Sequence, residues 1–194
     1  VTIGTHCLEW DTKKWFITDD GTNWRSMAEV AGIQATVSVT KALAAVAAYA
    51  AEDVLSEHIT AGTSWIFAAI ARSLGGSGYI TKAHVISETT ALLPRLTLYL
   101  FTAVPTGVLN DNVANTSPLY AEIANYVGKI DFPAMEELGG VSEAVATPST
   151  YGNLPLAFTC AAASKGLWGV LVTRDAFTQV ATKGMIVRLT AEQY

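Results

Sequence analysis

The sequence predicts an all-β fold, an antiparallel β-sandwich with a jelly-roll-like arrangement, preceded by an N-terminal arm or small hairpin unit. From residue 35 onward, about eight strand patterns recur every 10 to 20 residues or so, a spacing typical of sandwiches and jelly rolls. Hydrophobic residues make up 51% of the 194 residues and charged residues 15%, whereas a typical domain carries about 25% charged residues. This composition excludes a disordered chain and indicates that a partner covers part of the surface.

The N-terminal region, residues 1–40, forms the predicted arm, and residues 41–194 form the sandwich domain. Residues 14–18 have a strand pattern and lead into the turn sequence Asp-Asp-Gly, after which residues 23–25 start a return strand. The region also holds four large aromatic side chains, and it is too short to bury them alone. We therefore expect these aromatic residues to pack on the main body or on another chain, and we name them as candidate contacts: Trp10, Trp15, Phe16 and Trp24.

The next elements are two strands separated by an ambiguous segment. Residues 35–40 alternate with period two, which indicates a strand. Residues 41–55 are rich in alanine and favour a helix by propensity, yet their neighbours have strand patterns, so helix and strand both stay open. Residues 74–78 form a glycine-rich turn. Because a strand over residues 79–86 follows this turn in place of a helix, we interpret it as a hairpin turn and not as a phosphate-binding loop.

Residues 96–101 give the clearest strand pattern in the chain, with leucines alternating against Thr97, Tyr99 and Phe101. Both faces of this strand can be buried, so we expect its outer face to meet something beyond its own sandwich. The remaining predicted elements are an exposed loop over 105–118, one helical turn or bridging segment over 120–126, a strand over 126–132, a loop over 134–153, and strands over 154–161, 167–173 and 184–190, with a hairpin turn at Lys165-Gly166.

The motifs point away from enzymatic chemistry. The histidines His6, His58 and His84 lack the spacing of a metal site, and neither an HExxH nor a GxSxG motif is present. The turn over 110–112 lacks the ligand pattern of a calcium loop. Two cysteines, Cys7 and Cys160, are interpreted as free thiols, although a bridge between them stays open. We therefore expect no catalytic residue, no cofactor and no metal.

The charge pattern excludes two classes of partner. The net charge is −5 and the basic residues are scattered, whereas nucleic-acid and anionic-membrane binding require clustered Lys and Arg. The apolar stretch over residues 59–71 is shorter than the roughly 20 residues of a membrane span, and no signal peptide is recognisable at the start. The sequence therefore predicts neither a nucleic-acid partner nor a membrane partner.

The order of the turns and strands resembles a family of small virion proteins of tailed bacteriophages. The pattern is a Gly-Gly turn at 75–76, an LxLxLF strand at 96–101, Pro105-Thr106, a DNxA motif at 111–114, a VGxI strand at 127–130 and a terminal hairpin that carries Trp168. The chain departs from the family at Thr102, where the family has Asp, and at Trp168, where it has Tyr. The likeness covers about residues 49 to 190, and its motifs are structural.

The resemblance implies a head decoration, or cement, protein on the capsid exterior. Such a protein is made in the host cytoplasm, binds the major capsid protein and stabilises its lattice by many apolar contacts multiplied over a symmetric shell. A homo-oligomer is expected, with a trimer favoured. The alternatives are a tail- or neck-associated virion protein and a carbohydrate- or receptor-binding module of a tail fibre. None of these functions implies an enzyme.

Overall fold

The computed structural model describes residues 5–9, 14–18, 25–26, 33–44, 47–149 and 153–193. The chain divides into two compact units, Val1–Ile33 and Gln34–Gln193. The boundary predicted after residue 40 falls inside the strand Ile33–Ala42. The strands are β1 Thr5–Glu9, β2 Lys14–Thr18, β3 Arg25–Ser26, β4 Ile33–Ala42, β5 Trp65–Phe67, β6 Ser77–Ser87, β7 Leu96–Phe101, β8 Tyr126–Asp131, β9 Glu136–Glu137, β10 Ser142–Ala146, β11 Leu156–Thr159, β12 Leu167–Thr173 and β13 Gly184–Gln193.

The first unit contains a three-stranded antiparallel sheet in the order β1-β2-β3. Strand β2 has the predicted bounds, whereas β1 was not predicted. In the register of this sheet, Phe16 on β2 pairs with Cys7 on β1 and with Ser26 on β3. The side chain of Phe16 is half-buried, and Cys7 is exposed.

The second unit is built from two antiparallel sheets. One has the order β4-β13-β6-β10-β9, and β11 also pairs with β6, so that β10 and β11 follow each other along the same edge of β6. The other has the order β5-β12-β7-β8. The prediction of an all-β antiparallel sandwich is confirmed.

The main core lies between the two sheets and follows the strand period of two. Along β13, every second residue from Met185 to Gln193 is buried, and the residues between them are half-buried or exposed. The central side chains of this core are fully buried and come from both sheets. They include Phe67, Ile80, Val85, Leu96, Leu98, Leu100, Ile130, Leu171, Val187 and Leu189.

Three sequence predictions are wrong. Residues 134–153 are not one loop, because they contain β9, whose two glutamates are exposed, and β10, whose buried side chains are small. The turns at 74–78 and at Lys165-Gly166 are not hairpin turns, because each connects strands that belong to different sheets. Residues 120–126, for which one helical turn and a bridging segment both stayed open, contain a 3₁₀ helix, Tyr120–Asn125.

The ambiguous segment over residues 41–55 begins with the last two residues of β4, and its remaining described residues form neither a helix nor a regular strand. Strand β4 ends at Ala42, and the chain then runs irregularly along the second sheet. Isolated bridges fix it there, and they join Tyr49 to Phe177 and Val54 to Val172. No helix in the described part of the chain is long and apolar enough to cross a membrane.

Candidate binding surface

A long connection between β7 and β8, residues 102–125, covers the outer face of the second sheet, and we call it the cover loop. On that face Phe101, Val170 and Val172 are buried in a second, smaller core. Val108 and Leu109 of the cover loop pack against this core. We expected the outer face of residues 96–101 to meet something beyond its own sandwich, and at Phe101 the segment that meets it is the cover loop of the same chain.

Asp111 anchors the middle of the cover loop. Its side chain is 1% exposed, and its carboxylate accepts hydrogen bonds from Tyr49 Oη at 2.9 and 3.0 Å and from the Ser56 backbone N–H at 2.7 Å. The ring of Tyr49 stacks on Phe177 with centroids 4.8 Å apart. Asn112 follows in the left-handed region with φ 56°, a conformation that Asn tolerates well. The DNxA motif thus builds a buried anchor and a tight turn, and the predicted exposed loop over 105–118 is wrong at Asp111.

A second attachment holds the cover loop to the segment before β5. The Gly62 backbone N–H donates to Asn110 Oδ1 at 3.1 Å. A Cβ at Gly62 would lie 1.9 Å from the Leu109 carbonyl oxygen, so this close approach requires glycine. His58 Nδ1 accepts hydrogen bonds from the backbone N–H groups of Thr60 and Ala61. His58 therefore shapes the neighbouring turn.

The 3₁₀ helix at the end of the cover loop has inverted polarity, which means that it buries its charged side chain and exposes apolar ones. Its one charged residue, Glu122, is buried at 8% exposure and accepts a hydrogen bond from the Thr106 backbone N–H. Tyr120 and Ile123 on the same helix are 92% and 54% exposed. A solvated surface helix favours the opposite arrangement. Burying a carboxylate costs free energy, and an exposed apolar side chain gives up the favourable free energy of burial.

Val104 is a third exposed apolar side chain of the cover loop, at 57% exposure. The Thr102 backbone N–H donates to the Asn125 carbonyl oxygen at 2.8 Å, and the Thr106 backbone N–H donates to the Glu122 carboxylate. In sequence, Val104 lies between these two attachments to the helix. We call these three residues, Val104, Tyr120 and Ile123, the apolar patch.

The cover loop exposes no charge. Residues 102–125 contain two charged side chains, Asp111 and Glu122, and both are buried. The cover loop itself therefore presents no charged side chain that an apolar partner would have to desolvate. An uncharged, internally anchored surface with a protruding aromatic side chain is suited to a protein contact.

A second polar cluster lies beneath β4 and is an internal ion pair. Lys41 Nζ donates to Glu57 Oε2, to the Thr63 carbonyl oxygen and, at 3.0 Å, to Thr63 Oγ1. Burial raises the pKa of Glu57, but hydrogen bonds from Lys41, Thr63 and Ser56 outweigh this effect and lower it to about 2. Burial lowers the pKa of Lys41. The ammonium group of Lys41 and the carboxylate of Glu57 are engaged with each other, so the cluster links β4 to the segment before β5. We call this ion pair the brace.

The predicted contact residues of the arm are placed only in part. Phe16 and Trp15 lie on β2, where the backbone of Trp15 pairs with that of Leu8. Trp10 and Trp24 lie outside the described residues. The arm contact therefore stays a prediction. The apolar patch is a separate surface that the sequence reasoning missed.

The remaining candidate groups of the sequence are accounted for in the described residues. His84 bonds to Glu143 at 2.6 Å on the outer face of β6. Cys7 and Cys160 are both free, so the interpretation as free thiols is confirmed. Burial raises the pKa of Cys160 to about 11. No group of three or more His, Cys, Asp or Glu in this part of the chain is arranged to hold a metal ion.

Comparison with known proteins adds nothing to this geometry. No protein-family model, no curated protein and no solved structure matches the chain.

Proposed function

We propose that the chain is a structural virion protein that decorates a tailed-phage head by placing its apolar patch against the major capsid protein. The inverted polarity of the 3₁₀ helix carries the proposal. Tyr120 and Ile123 face outward while Glu122 faces inward. Fully burying an exposed Ile side chain contributes about 1.5–3 kcal/mol, and Ile123 is still 54% exposed, so a partner that covers the patch gains roughly half of that free energy at this residue.

The motifs behind the phage resemblance support the same surface. Pro105-Thr106 and the DNxA motif at 111–114 both lie in the cover loop. Asp111 fixes this loop from inside, so the loop presents the patch with little ordering cost on binding. Repetition over a symmetric shell multiplies a modest contact into stable attachment.

The proposed function involves binding alone, and it accounts for the polar clusters without a reaction. The ion pair of Lys41 and Glu57 and the buried carboxylate of Asp111 each stabilise a connection that supports the cover loop or β4. We propose no nucleic-acid and no membrane partner, since the net charge is −5 and such partners attract clustered basic residues.

The test is a binding experiment with phage heads. Heads purified from a phage that lacks this chain are mixed with the purified protein and sedimented, and the bound copies per head are counted. A decoration protein saturates at on the order of hundreds of copies, as a symmetric shell requires. Saturation at on the order of ten copies assigns the protein to the neck or tail, and absence of binding overturns the proposal.

A carbohydrate- or receptor-binding module is the second candidate, and the exposure of Tyr120 favours it. An aromatic ring that is 92% exposed offers its face to a sugar ring as well as to a protein. Screening on a glycan array tests this candidate. It requires saturable binding that Tyr120→Ala abolishes, and a flat array removes it.

A further inference from the structure

Strand β4 is a long sheet edge that no other described strand covers. It ends the six-stranded sheet, and among the described strands it pairs with β13 alone. It is ten residues long. Natural edges are usually shortened or protected by lysine, proline or bulges, yet residues 34–40 carry no charge and no proline. The one charge on the strand, Lys41, is turned toward Glu57.

The sequence of this edge is complementary to itself. Thr-Val-Ser-Val-Thr at residues 36–40 reads the same in both directions. An antiparallel pairing of two copies about a twofold axis at Ser38 sets Thr36 opposite Thr40, Val37 opposite Val39 and Ser38 opposite itself. Thr–Thr and β-branched pairs across strands are favourable, and this register sets no like charges opposite each other.

A groove runs beside the C-terminal half of β4 and fits the same register. Its volume is about 390 Å³. It lies between the edge strands of the two sheets, and Ile66 on its wall is 50% exposed. Its lining includes Val39 and Lys41 of β4.

The N-terminal half of β4 supplies the side chains that would fill this groove. Ala35 and Val37 lie on the same face of β4 as Val39, which faces the core. Ala35 and Val37 are only half-buried. In the register centred on Ser38, Ala35 of a second copy lies opposite Lys41 and Val37 of a second copy lies opposite Val39. Each copy thus covers the other's groove with its own half-buried apolar residues.

We propose that the protein forms a twofold homodimer by antiparallel pairing of β4 about Ser38, so that the six-stranded sheets of two copies join into one continuous sheet. A twofold interface uses the same patch on both subunits, as this self-complementary edge does. The closed contact of a trimer joins two different patches, so the edge favours a dimer over the trimer expected from the resemblance.

Cysteine cross-linking tests both the contact and its register. Cys7 is exposed and is first replaced by serine, whereas Cys160 is buried and stays. Residues directly opposite in antiparallel strands have Cα atoms about 4.5–5.5 Å apart, which is within the range of a disulfide. Ser38→Cys should therefore give a covalent dimer on mild oxidation.

Thr40→Cys is the matched control on the same exposed face of β4. In the proposed register the two copies of residue 40 lie four residues apart along the strand, or about 13 Å, too far for a disulfide. We expect the covalent dimer of Ser38→Cys to exceed that of Thr40→Cys by about tenfold or more, since only the former meets disulfide geometry. Thr36→Cys combined with Thr40→Cys should cross-link as well as Ser38→Cys does.

Light scattering on the unmodified protein supplies the second measurement. The expected mass is twice the 20.5 kDa of the chain. A monomer, a trimer, or equal cross-linking at positions 38 and 40 overturns the proposal. These measurements use the isolated protein, so their outcome is separate from that of the head-binding experiment.

Discussion

Replacing Asp111 with alanine is the most direct test of the buried anchor beneath the cover loop. Its carboxylate is 1% exposed and accepts hydrogen bonds from Tyr49 Oη and from the Ser56 backbone N–H. A hydrogen bond to a charged group contributes about 1.5–3 kcal/mol. Loss of both acceptor contacts should lower the free energy of unfolding by about 3–6 kcal/mol, a large part of the 5–15 kcal/mol typical of a domain.

The assay is urea denaturation followed by tryptophan fluorescence, run as a double-mutant cycle with Tyr49→Phe. Tyr49→Phe keeps the ring stacked on Phe177 and should cost about 1.5–3 kcal/mol by itself. After Asp111→Ala the same change should cost at least about 0.5 kcal/mol less, because the two side chains share one contact. An Asp111→Ala variant within about 0.5 kcal/mol of the unmodified protein refutes the anchor.

Three further predictions concern the brace formed by Lys41 and Glu57, the close approach of Gly62 to Leu109, and the N-terminal arm. Because the pKa of Glu57 is lowered from 4.5 to about 2, its contribution to stability is present above pH 4.5 and is lost as the pH falls toward 2. Denaturation curves across this range should show that loss, and Glu57→Gln should reduce it. Gly62→Ala forces a Cβ against Leu109 and should cost about 1–3 kcal/mol in urea denaturation, whereas Gly140→Ala, which meets no atom within 4 Å, should be neutral. Deleting residues 1–30 should abolish binding to heads if the arm is the anchor, and unaltered occupancy excludes the arm.

Strands in which large apolar residues alternate with other residues were predictable from the sequence. Strand β10 was not predicted, because its buried side chains are small. Strand β7 was predicted to the residue because large leucines alternate along it. Strand β10 was assigned to a loop because its inward residues include Ala144 and Ala146, whose small side chains give a weak pattern beside Gly139-Gly140. The burial of these two alanines follows from the pairing of β10 with β6, which the local sequence does not show.

Tertiary contacts determine the backbone conformation of the alanine-rich segment after β4. Its alanines favour a helix by propensity, but Tyr49 is held by Phe177 and Asp111, and Val54 pairs with Val172. These contacts come from distant parts of the chain. Local sequence therefore left helix and strand both open.

The candidate surface was missed for a related reason. The sequence showed that β7 has two apolar faces but not which segment covers the outer one. A usable signal was present, since residues 102–125 contain two charges and the apolar pair Val108-Leu109, a composition typical of a packed connection. The burial of Glu122 and the exposure of Tyr120 needed the structure.

Occupancy of phage heads by a patch variant tests the proposed binding of the apolar patch to the major capsid protein. Tyr120→Ser combined with Ile123→Ser removes exposed side chains and should leave urea denaturation unchanged. Val180→Ser is the matched control, because Val180 is 58% exposed and lies outside the cover loop. We predict that the double variant binds heads at least about tenfold more weakly, a loss of roughly 1.4 kcal/mol per site, while the control binds normally. If the double variant saturates heads as the unmodified protein does, the apolar patch is not the binding surface.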